Sequence, residues 1–119
     1  MSIRDERLRA LSDGHMSDAR QLLHTPAGYS TRGISTIAFE AGYVALMAAL
    51  DAAVFFEDHP NAEAAEAGAK ALGLPSAGAV AQRYIEAYYS GSDMPSAREL
   101  LEWASDVRAR KGWQLSLQF

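Results

Sequence analysis

The chain has 119 residues, no cysteine and a formal net charge of −4. That length suits one domain, residues 1–119, able to bury about two thirds of its unfolded surface. The missing thiols exclude a disulfide framework, thiolate catalysis and cysteine metal sites, and an acidic balance argues against a general nucleic-acid binder, which normally shows a basic face.

Stop signals divide the chain into helices. Ser2 caps a short first helix through Leu11 that Gly14 ends, and Ser17 caps a turn or two through His24 before Pro26 and Gly28 break it. Met1 to Leu11 carries Arg4, Asp5, Glu6, Arg7 and Arg9 without an apolar run, unlike a signal peptide, so a cytoplasmic protein is expected.

Ser30 or Ser35 then opens a long central helix, residues 31–57. From Ser35 to Phe56 only Glu40 and Asp51 are charged. Small residues recur at Ala38, Ala41, Ala45, Ala48 and Ala52, and larger ones at Phe39, Tyr43, Leu46, Leu50 and Val54. Both rows step by three or four, so this helix is apolar over most of its circumference and others must pack around it. A membrane span is not expected, since Glu40 and Asp51 would each cost about 2.5–3.5 kcal/mol in hydrocarbon. The apolar surface exceeds what alanine-rich neighbours cover, which predicts self-association, with a homodimer as the simplest form.

The Glu57-Asp58-His59-Pro60 cluster closes that helix and starts an alanine-rich one over 62–72, with Glu66 and Lys70 as an i,i+4 pair; Gly73 and Pro75 stop it. Ser76 opens the next helix, with Val80, Ala81, Tyr84, Ile85 and Tyr88 on its apolar face and Gln82, Arg83 and Glu86 opposite. After Gly91 and Pro95, Ser96 and Glu99 form a capping box. The helix that follows buries Leu100, Leu101, Ala104 and Val107, carries Trp103 on its flank and ends at Gly112. The fold class is all-α: an up-and-down helical bundle of four main helices plus a short N-terminal helix.

Residues 112–119 form an extended C-terminal tail in which Trp113, Leu115, Leu117 and Phe119 alternate with polar residues. The tail either lies in a groove of its own bundle or makes an interface with a second subunit or another protein. Charge is uneven: residues 1–32 hold five basic and four acidic side chains, 33–82 one and six, and 83–119 five of each.

No motif specifies a reaction. Glu40 and Asp51 are eleven residues apart on one helix, about 16 Å and too far for an acid–base pair. His15, His24 and His59 never fall at i,i+3 or i,i+4, so neither a helical metal site nor a cofactor is expected. The one ligand face the residues suggest is Arg83, Tyr89 and Glu86, a fixed cation beside an exposed ring that could take a phosphate and stack on a base. The structural alternative is a solvated Arg83–Glu86 pair within the helix.

The run Pro26-Ala27-Gly28-Tyr29-Ser30, then Ala38-Phe39-Glu40-Ala41-Gly42-Tyr43-Val44-Ala45-Leu46 and Ala49-Leu50, resembles the first-turn and second-helix pattern of HEPN domains. The resemblance covers about Ser17 to Arg110. It implies an up-and-down bundle, a common tendency to dimerise, and nucleotide or RNA binding, with ribonucleases and toxins among the members. Active members carry an arginine followed by a histidine late in the bundle. Here Arg83 holds a similar place, but Tyr88 and Tyr89 stand where the histidine belongs, and the literal match, Arg9 to His15, lies in the first helix. The resemblance therefore implies a member without the ribonuclease site.

The function expected is a non-catalytic binding or protein-interaction module of this type, partner of a toxin or nucleotidyltransferase. The alternatives are a small helical nuclease using Arg83 and Glu40, and a plasmid or phage-type DNA-associated regulator using the basic segment Arg108, Arg110 and Lys111.

Overall fold

The structure, a computed structural model, describes residues 3–24, 31–50 and 60–113. Five helices make up this part: α1 (Ile3–Leu23), α2 (Thr31–Ala48), α3 (Ala62–Ala71), α4 (Ser76–Ser90) and α5 (Ala97–Lys111). No strand occurs among the described residues. The all-α helical bundle expected from the apolar periodicity is present.

α2 is the hub and touches each of the other four helices. Its small and large rows are both buried: Ala38, Ala41 and Ala45 are 0% exposed, as are Phe39 and Leu46. The helix ends at Ala48, earlier than the expected 57; Ala49 and Leu50 form a turn, and Asp51 to Glu57 lie outside the described residues.

The N-terminal region differs most from expectation. Gly14 does not end a helix, and Ser17 does not cap a second one. Both lie inside the single 21-residue α1. A glycine in an exposed helix interior costs about 1 kcal/mol, which packing can offset. Here Leu8, Ser12, Met16 and Ala19 form one buried row against α2 and α5. A full-length α1 also supplies the cover that a short helix could not. Over Thr31–Ala48, α2 is thus largely covered within the chain, while Ala52, Val54 and Phe56 of the expected surface lie outside the described residues.

The aromatic core follows from this arrangement. Phe39 of α2 stacks on Tyr84 of α4, with centroids 3.9 Å apart, and on Trp103 of α5 at 5.3 Å. Trp103 is not on a flank: it is 6% exposed, and its indole Nε1 donates to the Ala77 carbonyl at 3.0 Å. Gly42 makes room for it, since a Cβ there would meet the Trp103 ring at 2.3 Å.

Helix ends largely follow the sequence signals. Asn61 caps α3 by accepting from the Ala64 amide, and Gly73, Gly91 and Gly112 take positive φ after α3, α4 and α5. Glu66 and Lys70 pair at 3.5 Å. Ser96 caps α5 through the Glu99 amide, but the Glu99 carboxylate reaches Arg83 instead of completing the capping box. Ser76 is the first residue of α4 and follows Pro75 as N-cap.

The Tyr84 hydroxyl donates to Thr36 Oγ1 at 3.1 Å. Burial pushes its phenol above the usual value of 10.0, with the Thr36 hydrogen bond opposing the shift. A raised folded value means that this tyrosine contributes stability below pH 10.0 that is lost as pH climbs from there through the folded value. Tyr84→Phe should therefore flatten the alkaline fall in stability above about pH 10, measured by urea melts at stepped pH. An unchanged slope would place the alkaline sensitivity elsewhere.

Candidate functional site

The sequence-expected ligand face does not converge. Arg83 and Tyr89 are both exposed, but six residues turn a helix through about 600°, which points the two side chains about 120° apart. Arg83 reaches across to Glu99 of α5 at 3.0 Å, while the Tyr89 hydroxyl approaches the Pro60 carbonyl ahead of α3 at 3.5 Å. Glu86 accepts from Gln82 at 3.2 Å rather than pairing with Arg83. Glu86 lies between the other two, about 60° from each, but Arg83 and Tyr89 point away from one another and are tied to different elements.

The basic segment divides in a similar way. Arg108 is 2% exposed, and its guanidinium donates to Ser12 Oγ and to the Asp13 carboxylate of α1. Ser12 Oγ passes a hydrogen bond on to the Ala41 carbonyl at 2.8 Å, so one buried polar chain joins α5, α1 and α2. Lys111 pairs with Asp5 at 3.2 Å, and of the three Arg110 alone is exposed, Lys111 being half-buried. Buried cations are held by partners because an unpaired one is costly, and this chain of bonds makes Arg108 a strut between helices.

Trp113 is likewise covered within the chain. Gly112 turns the backbone through a left-handed conformation, the Trp113 amide donates back to the Arg108 carbonyl at 2.7 Å, and the ring is 1% exposed. Arg108 and Lys111 lie 6.0 and 5.8 Å from its centroid. Of the four expected interface residues, this one needs no second subunit to bury it. Leu115, Leu117 and Phe119 lie outside the described residues.

Glu40 is half exposed and faces His15 of α1 at 3.6 Å. Asp51 and His59 lie outside the described residues. Among the described residues no group of three or more metal-ligating side chains comes together, and no helix is long and apolar enough to cross a membrane.

A concavity lies where sequence reasoning placed none. α1 and α5 run antiparallel: the first half of α1 meets the last turns of α5 through Asp5–Lys111 and Asp13–Arg108. Beyond that clasp lies a groove of about 900 Å³, walled by Ser17, Arg20 and Gln21 on α1, by His24 just after it and by Arg98, Glu102 and Asp106 on α5, with Leu23, Leu101 and Ser105 also lining it. A second groove of about 570 Å³ shares Leu23 and Arg98 and continues between the start of α2 and the loop before α5. Its Arg32 is anchored on the Ala87 and Tyr88 carbonyls at the end of α4, at 3.4 and 3.2 Å.

The sequence signal for the groove is the α5 row Arg98, Glu102 and Asp106, spaced by four on the side away from the Leu100–Ala104 core row. Such a row usually marks a solvated face. What turns it into a groove wall is α1 running alongside, which a helix broken at Gly14 would not do. No family model matches this chain, and neither a curated protein nor a solved structure matches it.

Proposed function

We propose that this protein is a non-catalytic protein-interaction module of the HEPN-like kind, an up-and-down bundle of the cytoplasm that partners a toxin or nucleotidyltransferase through the α1–α5 groove. The observation that carries this reading is the mixed sign of the groove: Arg20 and Arg98 share its walls with Glu102 and Asp106. A nucleic-acid surface needs one sign, because each carboxylate beside a phosphate costs affinity. Protein partners instead match mixed charges across an interface.

The side chains best suited to chemistry support the same reading through their present use. Arg108 braces α1, Arg83 ties α4 to α5, and His15 faces Glu40. The homodimer expectation rests on the apolar residues of 51–57 and on Leu115, Leu117 and Phe119, since Thr31–Ala48 and Trp113 are largely covered by their own chain.

The test is copurification of the tagged full chain from its native cells, beside the variant Arg98→Glu/Glu102→Arg. A partner protein recovered with the first and lost with the second is the expected result. RNA cleavage by the purified chain that disappears in Arg83→Ala would replace this function with the nuclease alternative.

A further inference from the structure

The row Arg98, Glu102, Asp106 climbs one face of α5 in steps of four, so its charges run positive, negative, negative at intervals of about 6 Å. Leu23 and Leu101 give the groove apolar lining beside that row. The Arg108–Asp13 clasp stands beyond Asp106, while past Arg98 the surface continues into the second groove. We propose that this groove receives an amphipathic helix of a partner protein whose contact row carries one acidic and two basic side chains at one-turn intervals, the acid beside Arg98 and the bases beside Glu102 and Asp106. The proposal rests on the groove being the protein-binding surface and goes further by stating what binds there.

Each other occupant fits these observations less well. A phosphate-bearing strand would be held by Arg98 and repelled by the two carboxylates that follow it. A second copy would have to present that charge row on another face, and none of the five described helices carries one acidic and two basic residues in that order, read in either direction, at four-residue spacing. The chain's own residues 114–119 carry no charged side chain with which to satisfy the row.

An extended peptide adds to a sheet edge through unpaired backbone groups, whereas both walls here are helices whose backbone groups are internally bonded. A helix needs no such ladder. Its own i,i+4 rise of about 6 Å keeps register with the α5 row over two turns, and an apolar row alongside would meet Leu23 and Leu101.

The test uses the full chain and two labelled, alanine-based helical peptides with a common leucine row. One carries Glu, Lys, Lys at four-residue intervals, and the other Lys, Glu, Glu. By fluorescence anisotropy at low salt, the first should bind about tenfold more tightly than the second. The triple variant Arg98→Glu/Glu102→Arg/Asp106→Arg alters exposed positions, and circular dichroism checks that it folds; in it the preference should invert. Failure of both peptides to bind, equal binding, or a preference that survives the reversal would overturn the proposal. These outcomes are separable from failure of the broader reading. A copurified partner lost in Arg98→Glu/Glu102→Arg, with no peptide preference, removes the charge-ordered helix and keeps the module. A partner retained by that variant removes the groove as the interface and the proposal with it.

Discussion

Replacing Asp13 by alanine should lower folding stability by about 2 kcal/mol, less than the roughly 3–5 kcal/mol of a fully buried pair because the Asp13 side chain is itself 40% exposed. Arg108 is the reason. Its side chain is 2% exposed, and its partners are the Ser12 hydroxyl and the Asp13 carboxylate. Without Asp13 the guanidinium stays buried with a neutral hydroxyl and the Trp113 ring, and neither replaces a carboxylate. The reverse deletion is milder. Asp13 is 40% exposed, so in Arg108→Met water solvates the freed carboxylate while the methionine fills much of the vacated space. The expected order is therefore Asp13→Ala well below Arg108→Met, read as urea midpoints at constant slope. A larger loss for Arg108→Met would mean that the arginine matters by its bulk and not as one half of an ion pair.

The central part of the fold was legible because its signal is redundant. Two apolar rows on α2 agree with each other and with the tyrosine face of α4, so no single residue decides the outcome. α1 was misread because its buried row includes a polar member. Leu8, Ser12, Met16 and Ala19 keep a helical period through Gly14, but Ser12 looks like a surface residue until its partner is known.

That partner carries the same disguise. Arg108 follows Leu100 and Ala104 at steps of four, squarely on the core row, yet arginine at a helix end is ordinarily a solvated cation. A polar residue at a core position on each of two helices is a recognisable sign of a buried pair. What the sequence cannot provide is which two helices lie together. The groove was hidden for the same reason: Arg98, Glu102 and Asp106 form a plain charged stripe until an unbroken α1 runs beside it.

Glycine substitutions should separate the two kinds of helix position with opposite signs. Alanine is better than glycine in a helix interior by about 1 kcal/mol when nothing opposes its methyl group. At Gly14 a methyl group would meet nothing within 4 Å, so Gly14→Ala, inside the continuous α1, should stabilise by about that amount. At Gly68 of α3 the same methyl would sit 2.5 Å from the Leu46 carbonyl oxygen of α2. Backbone cannot yield as a flexible side chain does, so α3 must move away from α2 and loosen the contacts of Ala65 and Ala69. Overpacking of this kind costs about 1–3 kcal/mol, and backbone contact puts Gly68 in the upper part of that range, so after the propensity gain of about 1 kcal/mol Gly68→Ala should be destabilised by up to about 2 kcal/mol. Thermal and urea melts of the two variants decide both points. No gain at Gly14 would restore the helix break that the sequence suggested there, and with it would go the α1 wall of the groove. A neutral Gly68→Ala would show that α2 and α3 are less closely packed than the Leu46 carbonyl requires.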